Sequence, residues 1–159
     1  MFRYWLPLIT ILISQMSIFA QENTEYGTLF MHCKKGGFKI LKSEGKIRIQ
    51  GCGTLLINRL KGEIKSSGFI KEHQVGKREV YSGKGTITIE GEFRALQWDG
   101  KDFNATWRGK GRARISSQLD RVVKDSWFRF GGTKKKYPWQ STIGYKIKLP
   151  FIEKTESGS

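Results

Sequence analysis

Apolar and polar residues alternate at period two through much of this chain. In residues 86 to 90 the alternation places Ile87 and Ile89 on one face and polar side chains on the other. Residues 46 to 50 and residues 143 to 149 repeat the pattern. This period is typical of strands with one buried face, because successive side chains of a strand point to opposite sides. The pattern therefore predicts a largely β protein.

Glycines interrupt these segments and predict where strands turn. Asp99-Gly100 is the signal for a two-residue type I′ hairpin, whose central residues need positive φ. Pairing Trp98 with Lys101 would collect one face, which we predict to be core: Leu96, Trp98, Phe103, Ala105 and Trp107. The opposite face would carry Phe93, Ala95, Gln97, Asp102, Asn104 and Thr106.

Further glycines predict further breaks in the strands. Gly36-Gly37 predicts a turn between strands at 26–31 and 38–41, and Gly76 predicts the tip of a hairpin. A motif Gly-x-Gly-x-x-x-Ile begins at Gly51, Gly83 and Gly109. A phosphate-binding glycine loop leads into a helix, whereas these glycines precede strand sequence, so we interpret them as turns or bulges.

These signals define the fold class. We expect an all-β protein, a sandwich or rolled sheet of about 9 to 11 short, mostly antiparallel strands. A β-solenoid is the alternative, although the irregular glycine spacing counts against a strict repeat. Residues 117 to 125 carry a weak helix N-cap and allow a helical turn.

The ends of the chain predict an exported domain. Residues 1–20 have a basic start, an apolar stretch and a small-residue end, which are the parts of a secretory signal peptide. A single β-domain would occupy residues 21–152, and residues 153–159 would form a disordered polar tail. We therefore expect a periplasmic, cell-surface or extracellular protein.

The two cysteines, Cys33 and Cys52, are candidates for a disulfide, because an exported chain meets an oxidising compartment. A metal site built from these cysteines with His32 and His73 is the competing idea. Their spacing fits no zinc pattern, so we predict neither a metal nor a cofactor.

Positive charge is the strongest global feature. Without Arg3 of the predicted signal, the remaining chain has 28 basic and 14 acidic residues, a balance of +14. Such an excess favours polyanionic partners, and export directs attention to an anionic envelope polymer, a polysaccharide or lipid headgroups. We expect no intracellular nucleic acid as a partner.

Two segments concentrate this charge. Four cations recur at every second position, so that an extended strand would place them on one face: Arg108, Lys110, Arg112 and Arg114. A second basic segment is a predicted loop with neighbouring aromatic residues: Lys134, Lys135 and Lys136, with Trp127, Tyr137 and Trp139. Aromatic planes beside cations can stack on sugars or bases and hold anions. The alternative is that the cations are solvated surface and the aromatic residues are core.

The sequence contains few signs of a catalytic site. No nucleophile, base or metal stands in a recognisable arrangement. Paired acids for glycan cleavage would have to come from four carboxylates, Glu90, Glu92, Asp99 and Asp102. In a basic protein such carboxylates more often pair with lysines, and we predict no catalytic residue.

Residues 72–91, with Gly109-Lys-Gly-Arg-Ala113 after them, give the chain a resemblance to a known group. The chain resembles small exported bacterial proteins of glycine-punctuated β-segments, a group without assigned activity, over about residues 45 to 116. The resemblance implies a bacterial origin and a non-catalytic β-domain, and it carries over no functional residue.

The leading hypothesis is an exported, non-catalytic module that associates with an anionic surface or polymer of the cell envelope. A glycan-acting hydrolase or lyase is the first alternative, and it requires a pocket with two carboxylates or a carboxylate and His73. The second alternative is a structural subunit of a surface assembly, which would self-associate. The sequence does not separate the module from the subunit.

Overall fold

The chain is all-β. In a computed structural model, residues 26–116, 124–139 and 144–150 are described, and 85% of them lie in strands. The predicted signal peptide, the polar tail and most of the possible helical turn fall outside these residues. Six strands form one antiparallel sheet that is not closed: β1 Gly27–Asn58, β2 Lys61–Val75, β3 Arg78–Ser116, β4 Trp127–Phe130, β5 Tyr137–Pro138 and β6 Tyr145–Leu149. No helix occurs in these ranges, so none there is long and apolar enough to cross a membrane.

β1 and β3 are much longer than the predicted short strands because they pair with each other twice. Ile47 of β1, for example, lies between Ile89 and Trp107, which are both residues of β3. β2 extends the sheet beyond the first half of β3, β4 extends it beyond the start of β1, and β6 pairs with the end of β3.

The core is built from apolar ladders that cross the sheet. One ladder runs through neighbouring strands in the order Ile64, Ile89, Ile47, Trp107, Leu29 and Phe130. All of these side chains except the partly buried Ile64 are buried, in a single hydrophobic cluster. Period-two alternation along each strand therefore becomes continuous apolar contact across strands. The inward positions predicted for Ile47 and Ile89 are confirmed.

The predicted hairpin at Asp99-Gly100 is wrong, although the residues predicted to form its core face are buried. β3 passes straight through this dipeptide, and Gly100 pairs with Gly36 on one side and Gly53 on the other. Asp102, with φ of 46°, marks an irregularity in β3 that shifts the alternation by one residue. The predicted core residues before and after it therefore still face the same side, and all five are buried. Phe93, assigned to the polar face, is also buried.

The other predicted turns had mixed outcomes. The turn at Gly36-Gly37 is wrong, because β1 is continuous there. The hairpin around Gly76 is confirmed: β2 and β3 pair up to Val75 and Arg78, and Gly76 has a φ of 59°.

Glycines of neighbouring strands face one another in rows across the sheet. The longest row contains Gly62, Gly91, Gly45, Gly109 and Gly27 in spatial order. At Gly45 a Cβ would lie 2.2 Å from the carbonyl oxygen of Arg108. The backbones therefore approach more closely than side chains allow, which explains the glycine motifs as features inside strands rather than turns.

The predicted disulfide is absent, since Cys33 and Cys52 are both free. Cys33 neighbours Phe103, whereas Cys52 pairs with Lys101 on the other side of the same stretch of β3. Two strand spacings, about 10 Å, separate the two positions, which exceeds the Cα separation that a disulfide spans. The Cys33 thiol is buried on the core face, and this burial raises its pKa.

Candidate functional site: the cationic outer surface

The four cations near the end of β3 share the outer side of the sheet. Arg108, Arg112 and Arg114 are exposed and Lys110 is half-buried, while Ala113 and Ile115 between and beyond the arginines are buried. Strand alternation positions them, because the residues between them, from Trp107 to Ile115, face the core side of β3.

Lys110 differs from its neighbours because a carboxylate neutralises it. Its Nζ lies 2.9 Å from Oε2 of Glu44 and 6.0 Å from the centre of the Tyr26 ring. The Tyr26 hydroxyl donates a 2.6 Å hydrogen bond to the same carboxylate. These two contacts, the tyrosine first, lower the pKa of Glu44. Lys110 is thus held in an ion pair, and it adds little net charge at this position.

Arg112 and Arg114 belong instead to a cluster drawn from three strands, which we call the basic patch. Arg114 is flanked by Lys39 of β1 and Lys146 of β6, and Arg112 pairs with Lys148 of β6. All five side chains are exposed. No carboxylate of the described ranges forms an ion pair with any of them.

Repulsion between the like charges of the basic patch lowers the stability of the fold. Residues directly opposite on neighbouring strands have Cβ atoms about 5 Å apart, and like charges placed there repel. Arg114 has such a neighbour on each side, and Arg112 has one. An anion bound over the patch would relieve this repulsion.

The predicted basic loop connects β4 and β5, and its lysines are exposed. Two of them lie over aromatic rings. Lys136 Nζ is 4.3 Å from the centre of the Trp127 ring, and Lys135 Nζ is 5.2 Å from that of Tyr137. These are cation–π distances, so the cations and aromatic planes predicted here do lie together.

The three predicted aromatic contacts differ in their accessibility. Trp127 is partly exposed and also contacts the ring of His32, at 5.8 Å between centres. Tyr137 is partly buried and stacks on Phe128 at 5.2 Å. Trp139 is completely buried, and its indole N–H donates to the carbonyl of Ser116. The assignment of Trp139 as a contact residue is therefore corrected to the core.

Three of the four carboxylates considered for glycan cleavage form ion pairs with lysines. Glu90 lies 3.1 Å from Lys46, and Asp102 lies 3.3 Å from Lys34. Glu92 approaches Lys61 at 3.9 Å. His73 is exposed on β2. In the described ranges no group of three metal-ligating side chains is placed to hold an ion.

The structure adds cations that the sequence did not assign to the site. Lys39, Lys146 and Lys148 complete the basic patch, and the alternating lysines of β6 were the available signal for two of them. The two predicted cationic segments belong to different elements, one to β3 and one to the loop between β4 and β5. Comparison with family models, curated proteins and solved structures found no match to this chain. Function is therefore inferred from its own geometry and charge.

Proposed function

We propose that this chain is an exported, non-catalytic β-domain that associates with an anionic surface or polymer of the cell envelope. The basic patch carries the proposal, because five exposed cations on three adjacent strands have no carboxylate partner among the described residues. The strands hold the cations in a fixed array, with about 6.6 Å between the two cations of β3 and between the two of β6. A polyanion or an anionic membrane can occupy several of them at once.

A salt titration of binding to heparin and to vesicles that contain anionic lipid tests this proposal. Reversing Arg112 and Arg114 to glutamate should weaken binding at least about 30-fold at 0.15 M ionic strength, because each cation near an anionic surface contributes about 1 kcal/mol. Binding of the unaltered chain should fall steeply as salt is raised.

A variant with the same change of net charge provides the control. Lys77→Glu with Arg78→Glu alters two exposed cations at the β2–β3 turn. This variant should retain most of the binding. Equal losses in the two variants would attribute binding to overall charge, and binding insensitive to salt would reject an electrostatic mechanism altogether.

A structural subunit of a surface assembly is a second candidate, favoured by the edge strand β2. Among described residues β2 pairs with β3 alone, and its Ile70 and Val75 side chains are 73% and 70% exposed. Apolar residues on an open edge are typical of strand-to-strand association. Sedimentation in the same salt series separates the two candidates, because assembly through β2 would persist at high salt.

The pairing also favours a rolled sheet over a sandwich or a solenoid. β1 lies between two stretches of β3, so the sheet returns on itself. The rings of Phe128 on β4 and Tyr145 on β6 lie 4.9 Å apart, which brings two distant strands together around one core. We propose that this roll fixes the outward direction of the basic patch.

A further inference from the structure

A second group of cations lines a pocket of about 560 Å³ beside an irregularity of β1. On the side of β1 that faces the end of β3, residues 42 and 43 lie opposite the single residue Gly111, since Leu41 pairs with Arg112 and Glu44 with Lys110. Five cationic side chains line the pocket: Lys42, Arg59, Lys61, Arg94 and Lys110. Two carboxylates, Glu44 and Glu92, accompany them, which leaves an excess of three positive charges (5 − 2).

The carboxylates of this pocket are already engaged. Glu44 accepts from Lys110 at 2.9 Å and from the Tyr26 hydroxyl at 2.6 Å, and Glu92 lies 3.9 Å from Lys61. The remaining cations, Lys42, Arg59 and Arg94, form no ion pair with a described carboxylate. These three side chains are exposed, so an incoming anion can reach them.

Ser43 lines the same pocket and carries a buried hydroxyl. The residue is only 4% exposed, and its Oγ is buried without a hydrogen-bond partner in the described part of the chain. Buried hydroxyls in native proteins are nearly always hydrogen-bonded, because leaving one unpaired costs free energy. A ligand oxygen is the kind of acceptor that this group lacks.

The backbone around the pocket is strained at two of its cationic residues. Lys42 has a φ of 47° and Arg59 a φ of 54°, two of the four positive-φ residues other than glycine in the described ranges. Such conformations are costly for residues with a Cβ, and they cluster at binding sites. Here they occur at two of the three cations without a carboxylate.

We propose that this pocket binds a phosphate group. Arg59 and Arg94 supply planar guanidinium groups that can each give two parallel hydrogen bonds to phosphate oxygens, and Lys42 adds a third charge. The Ser43 hydroxyl donates to a remaining oxygen. Three cations and a hydroxyl exceed what a monoanionic carboxylate with two oxygens uses, whereas a phosphate dianion has enough charge and acceptors. The site uses none of the residues of the basic patch and is independent of the proposed function.

Calorimetric titration of the full chain with inorganic phosphate tests the proposal. Saturable binding at one phosphate per chain is expected, with none from chloride at matched ionic strength. Glycerol 3-phosphate, a soluble lipid headgroup, is titrated in parallel. Tighter binding of glycerol 3-phosphate would assign the pocket to a headgroup or phosphodiester polymer, and tighter binding of inorganic phosphate would assign it to the free ion. Failure of both probes to saturate would overturn the site.

Paired variants locate the binding. Arg59→Gln with Arg94→Gln should weaken phosphate binding at least about tenfold, since hydrogen bonds between charged groups are strong. Arg112→Gln with Arg114→Gln removes the same charge from the basic patch and should leave phosphate affinity unchanged. Equal losses would overturn the pocket. If only the patch variant loses heparin binding, both the phosphate pocket and the proposed function are supported. If the patch variant still binds heparin, the proposed function is rejected, but the phosphate pocket is not.

Ser43→Ala separates binding from folding. The hydroxyl has no partner to lose in the free protein, so the thermal midpoint should not fall, while phosphate affinity drops about tenfold with the lost donor. A lower midpoint with unchanged phosphate affinity would show a structural hydroxyl and contradict its assignment to the site.

Discussion

Gly45 occupies a position where the fold requires the absence of a side chain for two reasons. Its φ of 140° is one that residues with a Cβ rarely adopt, and a Cβ would meet backbone of β3 at 2.2 Å. Gly91 and Gly109 pair with it on either side. The glycines are visible in the sequence, but the sequence does not distinguish a glycine that lets two strands approach closely from a glycine that forms a turn.

Gly45→Ala should therefore reduce the free energy of unfolding by about 3 kcal/mol, from backbone strain together with overpacking. Urea denaturation measures the change. Gly76→Ala is the matched control, because Gly76 also has positive φ but nothing within 4 Å of the added carbon. It should cost only about 1 kcal/mol. Equal costs at the two positions would mean that conformation alone, and not close packing, explains the row.

At the scale of the strands, the sequence predicted which side chains are buried better than where strands end. A type I′ hairpin between Trp98 and Lys101 and an irregularity at Asp102 both reverse the inside–outside alternation once. Both place Leu96 and Phe103 on one face, so periodicity does not distinguish them. The β2–β3 hairpin was predictable because Gly76 lies at the turn between two segments that are consecutive in the chain and pair directly with each other.

Amide hydrogen exchange distinguishes the two structures around Gly100. Asp99 and Gly100 have strand neighbours on both sides, so their amides should exchange slowly, at rates like those of Ile89. The amide of Lys77 in the β2–β3 turn provides the fast reference. Exchange at Gly100 as fast as at Lys77 would restore the predicted hairpin and contradict the continuous strand.

For the whole molecule, the excess of positive charge could be predicted from composition, but the positions of the cations relative to one another could not. Alternation correctly placed Arg112 and Arg114 outside. Only the pairing of distant strands adds Lys39 and Lys146 beside Arg114, because Lys39 lies 75 positions before Arg114 (114 − 39) and Lys146 lies 32 positions after it (146 − 114). For the same reason the phosphate pocket, drawn from four separate segments, left no local signal.

In the basic patch the charges that would bind an anion also destabilise the fold, and one substitution tests both effects. Arg114→Glu replaces repulsion from Lys39 and Lys146 by attraction, so it should raise the free energy of unfolding by about 0.5–1 kcal/mol at low ionic strength. The same change should weaken heparin binding, and the gain in stability should vanish near 1 M salt, where the charges are screened. Arg78→Glu, whose cross-strand neighbours are Asn58 and Val75, changes the net charge equally and should give no comparable gain. If Arg114→Glu lowers stability and binding together, Arg114 serves the fold; a gain in stability with a loss of binding means that the repulsion is kept for an anionic partner.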